Sequence, residues 1–192
     1  MSEKTNFILN IYKDKRTVFT FNDLGMMLGE TDQSRLKQRI NYHVRNRNIL
    51  NLRKGIYAKK DYNPEELACK INTPCYLSLE YVLRKKGLIF QYSGNFTLVS
   101  YLSRVLEIDS FDFAFRKIKK MVLMNTAGIE RLEEGINIAC AERAFLDLVY
   151  LDKEFYLDHP ELINKEKLFQ ILPVYESAKM EERINQILRA KD

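Results

Sequence analysis

QSRLKQRINYHVRNRNILNLRKGIYAKK, residues 33–60, carries nine lysines and arginines (Arg35, Lys37, Arg39, Arg45, Arg47, Arg53, Lys54, Lys59 and Lys60) and no acidic residue. The whole chain is only +5. The other 22 of its 31 Lys and Arg stand against 26 Asp and Glu, so everything outside this stretch sums to −4. The basicity is therefore local. A surface selected only for solubility intersperses the two signs, whereas a one-sign patch makes a field that recruits a polyanion.

Within the stretch, Leu36, Ile40 and Val44 recur every fourth residue and predict the buried stripe of a helix over 33–46, capped by Thr31 or Asp32. Two short runs, 49–53 and 56–59, follow as strands joined at Lys54-Gly55, where glycine permits the turn. Upstream, Phe7, Ile8, Ile11 and Tyr12 fall at helical spacing. Thr17–Thr20 reads as a strand, and Phe21 opens a helix that Gly29 stops after Leu28. Helix, strand, helix, turn, helix, hairpin is the order of a winged helix-turn-helix, with 33–46 as recognition helix and 49–59 as wing.

The buried stripe sends Ser34, Arg35, Gln38, Asn41, Tyr42 and Arg45 to the opposite face, with Lys37 and Arg39 flanking it. Arg forks onto guanine and Gln and Asn bridge the adenine edge, so these are base-reading residue types in the major groove. Arg53 and Lys54 at the wing tip suit phosphate or minor-groove contact. The alternative is a solvated helix face beside an ordinary hairpin, and the missing counter-charges argue against it. The expected DNA-binding set is Ser34, Arg35, Lys37, Gln38, Arg39, Asn41, Tyr42, Arg45, Arg53 and Lys54.

Working outward, Asn63-Pro64-Glu65-Glu66 predicts a cap and a linking helix over 64–71, with a domain boundary near Asn72. Residues 1–72 are expected to form the DNA-binding domain and 73–192 a mixed α/β domain with a small sheet and flanking helices, making the chain α+β. In the second part, Ser78 is expected to cap a helix that stops at Gly87. Phe96–Val99 begins a strand, and Phe111, Phe113 and Phe115 alternate with polar residues as another. Strands are also expected over 119–124 and 136–139. Ala144, Phe145 and Leu148 mark a helical stripe, and terminal helices are expected over 165–172 and 176–189, with Pro173 between them.

The 192 residues, 46% apolar, suffice for one large domain or two small ones. Cys69, Cys75 and Cys140 are odd in number and widely spaced, suggesting neither disulfides nor a zinc site but free thiols in a reducing cytoplasm. Met1–Asn6 is too polar to begin a secretory signal. The uncharged stretch Gly87–Ser103 is broken by polar residues and falls short of the ~20 apolar residues of a spanning helix, so a membrane role is not expected. No phosphate-cradling or nucleophile motif occurs, and His43 and His159 read as structural or solvated. Glu142, Arg143 and Asp147 form an imaginable catalytic cluster, but the i,i+4 spacing of Arg143 and Asp147 favours an ion pair on the surface or inside the domain. Neither an enzyme nor a cofactor is expected.

Three segments resemble the AbiEi-type antitoxin family of bacterial type IV toxin–antitoxin systems. They are the wing Leu52-Arg53-Lys54-Gly55-Ile56-Tyr57; the segment Thr73–Leu83 ending at Gly87-Leu88, similar to the family's Tyr-x-Ser segment; and Ile138–Tyr150, close to its Glu-Lys/Arg-Ala-Leu-Leu-Asp helix. Tyr81, Val82 and Phe145 depart from the usual residues in ways that are conservative for packing. The resemblance implies a repressor that binds double-stranded operator DNA of its own operon. Its C-terminal domain would counter a nucleotidyltransferase-like toxin without a stable complex. The sequence reading leaves one alternative open, a DNA- or RNA-binding adaptor whose C-terminal domain docks a partner protein.

Overall fold

The computed structural model describes residues 3–90, 94–152, 155 and 157–189. Gln91 and Ser93 of the uncharged stretch, and the outermost ends of the two expected domains (1, 2 and 190–192), lie outside the described residues. The chain is α+β and divides into two compact units, Met1–Ile71 with Glu133–Gly135, and Asn72–Leu132 with Ile136–Asp192. No helix among the described residues is long and apolar enough to cross a membrane.

The first unit runs α1 (Glu3–Lys13), β1 (Val18–Thr20), α2 (Phe21–Leu28), α3 (Gln33–Arg45), β2 (Leu50–Arg53), β3 (Ile56–Ala58) and α4 (Pro64–Ile71). Its antiparallel sheet has the order β1-β3-β2, with Val18 opposite Ala58 and Leu50 opposite Ala58 on the other side. Local chemistry sets the boundaries. Thr20 and Asp23 form a capping box at the start of α2, and Gly29 closes it in the left-handed region at φ +60. Asp32, rather than Thr31, caps α3 by accepting from the Ser34 and Arg35 amides. The Asn63 side chain accepts from the Glu65 amide at 2.9 Å, opening α4 before its proline turn.

Phe7, Ile11, Phe19, Leu24, Leu36, Ile40, Ile49 and Tyr57 form one core, with α1, α2, α3 and the sheet each contributing. The α3 stripe differs from expectation by one residue. His43 is buried and Val44 only partly so, because the His43 ring packs 5.0 Å from Phe7 and its Nδ1 faces the side-chain Nδ2 of Asn48 at 3.2 Å. Linker helix α4 is tied down by a buried carboxylate. Glu66 accepts from the Thr17 amide (2.7 Å) and hydroxyl (2.8 Å) and from the Val18 amide (3.0 Å).

The second unit holds β4 (Cys75–Leu77), α5 (Leu79–Lys85), β5 (Phe96–Ser100), β6 (Arg104–Ile108), β7 (Phe111–Lys117), α6 (Lys120–Met124), β8 (Ile129–Arg131), β9 (Asn137–Ala139) and α7 (Ala141–Leu151). It ends with α8 (Lys165–Ile171), a 3-10 turn through Pro173, and α9 (Ala178–Arg189). Its sheet is not small, since six strands lie in the order β6-β7-β5-β4-β9-β8. The expected strand at 119–124 is instead helix α6. Val122 and Leu123 are buried while Met121 and Met124 point out, a helical rather than alternating pattern built from good helix formers. Helix α7 is buried on every side from Glu142 to Val149, not along one stripe, so its charged residues are core residues.

Candidate nucleic-acid interface

Helix α3 sorts its side chains by face. Leu36, Ile40 and His43 are buried, while Ser34, Arg35, Lys37, Gln38, Asn41, Tyr42 and Arg45 are exposed and Arg39 is half-exposed. All eight expected helix contacts therefore reach solvent. Among the described residues, the side chains of Lys37, Gln38, Arg39, Asn41 and Arg45 form no hydrogen bond or ion pair. Their donors and acceptors remain available to something outside the chain. Arg35 differs, its Nε lying 3.5 Å from a carboxylate oxygen of the Asp32 cap, and Tyr42 packs edge-on against His43 with ring centroids 5.2 Å apart.

The hairpin carries the other two expected residues. Register slips between Asn51 and Arg53 against β3, and the turn passes through Lys54 and Gly55 at φ +80. Lys54 is exposed and Arg53 half-exposed at this tip. The tip is anchored from behind, because the Gly55 carbonyl accepts from the Phe21 amide at 3.0 Å. One of the nine cations does not join the patch. Lys59 donates to the Asp14 carbonyl at 2.5 Å and sits 5.9 Å from the Tyr12 ring centroid, so its ammonium is turned toward α1 and the residue after it.

Beyond Arg45 the chain leaves α3 through a Schellman motif, with the Arg47 amide donating to the Val44 carbonyl (3.0 Å) and the Asn48 amide to the His43 carbonyl (2.9 Å). The left-handed position, φ +55, is held by exposed Arg47. An ion-pair cluster braces the same unit elsewhere. Asp14 is held below the usual carboxylate range chiefly by its hydrogen bond to Arg16. Burial pushes Asp23 up, but the Thr20 amide and hydroxyl and Lys70, at 3.0 Å, outweigh it and leave the group lowered.

The second unit encloses its charges. Arg143 and Asp147 are both fully buried, with Nε 3.2 Å from Oδ1. Asp147 also accepts from the hydroxyls of Tyr175 (2.6 Å), Ser78 (2.8 Å) and Tyr76 (3.1 Å). Arg143 donates onward to the Tyr76 hydroxyl (2.9 Å) and to the carbonyls of Val122 (2.7 Å), Ala127 (2.8 Å) and Asn125 (3.2 Å). Burial pushes Asp147 up, and Arg143 and the three hydroxyls work against that, while burial and the neighbouring carboxylate push both tyrosines up.

This arrangement assigns the charged residues of α7. The pair is internal, water does not reach it, and Ser78 spends its hydroxyl on Asp147 instead of capping α5. Glu142 takes separate partners, the Asn164 amide at 3.3 Å and Lys167 at 3.4 Å, so the three residues do not converge on one site. Gly128 makes the approach possible. At φ +73 a Cβ there would meet the Arg143 Cβ at 2.9 Å and the Ile171 Cδ1 at 2.7 Å, so only glycine lets this loop bring its carbonyls to the guanidinium. His159 lies apart, 2.6 Å from Glu161, and no group of three or more His, Cys, Asp or Glu among the described residues could hold a metal ion.

Among solved structures, the chain is similar in fold to the Rv2827c protein from Mycobacterium tuberculosis, with a TM-score of 0.56 and 16% identity over 97% of this chain and 76% of that one. No family model matches the sequence, and no curated protein matches it at a significant level.

Proposed function

We propose that the protein is a cytoplasmic, sequence-specific DNA-binding repressor and antitoxin of the AbiEi type, working without a cofactor. In this reading the first unit is a winged helix-turn-helix. Helix α2 supports α3, α3 enters the major groove with Gln38, Asn41, Arg35 and Arg45 toward the base edges, and the β2–β3 hairpin is the wing that sets Arg53 and Lys54 on the backbone. The observation that carries it is the division of α3, apolar residues into the core and unspent amide and guanidinium groups to solvent, on a chain whose net positive charge is concentrated there.

The second unit is proposed to counter a nucleotidyltransferase-like toxin without a stable complex. Support comes from where the resembling segments meet: Tyr76 and Ser78 of one bond directly to Arg143 and Asp147 of the other. The pattern thus describes one interlocked core rather than two unrelated stretches.

Two measurements test the reading. Full-length protein should bind the duplex upstream of its own gene in preference to scrambled DNA, and the log–log dependence on salt should fall by about 0.9 per phosphate contacted. A folded triple variant, Arg35→Ala, Arg39→Ala and Arg45→Ala, should lose promoter binding yet still rescue growth from a neighbouring nucleotidyltransferase gene. Binding insensitive to salt would remove the DNA reading, and loss of rescue by this variant would remove the division of labour.

A further inference from the structure

The Schellman motif at the end of α3 contains a mismatch between residue and backbone. Four residues, Arg45-Asn46-Arg47-Asn48, make the exit, and the left-handed position in such a motif favours glycine, then asparagine, because a Cβ crowds the following carbonyl. Asparagine stands on either side of that position, yet an arginine occupies it at φ +55. Among the described residues the Arg47 side chain has no hydrogen bond or ion pair that would offset the strain, and it is exposed. The strained conformation is nonetheless well determined. Both Schellman hydrogen bonds are made, and the Asn48 carbonyl beyond them accepts from the Tyr12 hydroxyl at 2.9 Å.

We propose that Arg47 is a phosphate anchor for duplex DNA, a cation held at a fixed angle off the end of α3 by the left-handed turn. The inference rests on the reading of α3 as the recognition helix. The C-terminal end of such a helix passes the sugar–phosphate backbone beside the groove, where a forked guanidinium takes two phosphate oxygens at once. A favourable interaction with the helix dipole is available to any cation near the last turn, and Arg45 supplies one without backbone strain. Arg47 adds a position, not merely a charge. The contact carries no sequence information, so it complements Gln38 and Asn41 rather than duplicating them.

The test compares wild type with Arg47→Gly, Arg47→Asn and Arg47→Lys on the duplex upstream of the protein's own gene, taken as operator, and on a mixed-sequence duplex across a salt series, with thermal unfolding beside it. Glycine and asparagine suit the left-handed turn, so their unfolding midpoints should hold or rise by a few degrees. Their affinity should fall about 3- to 10-fold, equally on operator and mixed duplex, with the salt slope lower by about one. Arg47→Lys should keep most of the slope. If wild type shows salt-dependent binding and folded Arg47→Gly and Arg47→Asn match it in affinity and slope, the anchor is overturned while the recognition helix stands. If wild type binds no duplex, both fall.

Discussion

Arginine, tyrosine and polar hydrogen-bonders do opposite work in the two units. On α3 the side chains of Gln38, Arg39, Asn41 and Arg45 reach solvent unspent, whereas around Arg143 and Asp147 the same chemistry is closed off from water, with five donations from one guanidinium and four acceptances by one carboxylate. The difference lies in the reference state for each group. A side chain already solvated costs the fold almost nothing to remove, but a buried one leaves its partners orphaned when it goes. Stability should therefore track the second unit's cluster, and ligand affinity the first unit's helix.

The sharpest way to break that contrast is Asp147→Ala. It strands Arg143 and three hydroxyls in the interior, and about 3–5 kcal/mol of stability should be lost in urea unfolding. The double variant Asp147→Leu with Arg143→Met removes the orphaned charge but takes these partners from the Tyr76 and Ser78 hydroxyls and the Asn125 and Ala127 carbonyls, at roughly 1–3 kcal/mol each, so it should be no more stable than Asp147→Ala. A double variant as stable as wild type would show that the cluster is not what holds these elements together. Gly128→Ala, by pressing on Arg143 and Ile171 from the left-handed region, should cost about 1–3 kcal/mol in the same assay.

Effects in the first unit are smaller in stability and larger in recognition. Gln38→Ala should leave unfolding within about 0.5 kcal/mol of wild type while relaxing discrimination at one base position by about 1–3 kcal/mol. Lys54→Ala should instead weaken all duplexes alike. Matching profiles for these two variants would mean that helix and hairpin do not divide reading from positioning.

The smallest expected effect is one of pH. Asp14 and Asp23 have folded pKa values below their unfolded ones, so their contribution is complete above the unfolded value of about 3.9 and disappears as pH falls through the folded values. Unfolding midpoints followed from pH 6 down to pH 2 should show this loss, and Asp23→Asn should flatten the lower part of the curve. An unchanged profile would mean that Arg16 and Lys70 do not pair with these carboxylates in solution.

Much of this was legible residue by residue where a signal is local. The Gly29 stop, the Asn63-Pro64 start, the Lys54-Gly55 turn and the exposed face of α3 follow from cap chemistry, glycine freedom and the 3.6-residue period, none of which needs a distant partner. The signals failed where the deciding contact is remote. Val44 looks more buriable than His43 by hydrophobicity, but Phe7 and Asn48 supply His43 with a ring contact and a hydrogen-bond partner. Strands β4, β6 and β8 are three to five residues long with no clean alternation, so pairing rather than pattern makes them strands. In 120–124 the packing of Val122 and Leu123 on one side chose helix over strand.

The sequence alone determined where charge accumulates, which helix face carries it, and that Arg143 and Asp147 stand one helical turn apart, because these depend on composition and period. Tertiary structure alone decided that the turn lies in the interior. Burial is a property of what surrounds a helix, and only the folded sheet brings Tyr76 and Ser78 of β4 and its exit, Tyr175, and the carbonyls of 122–127 to the two charges that would otherwise have needed water.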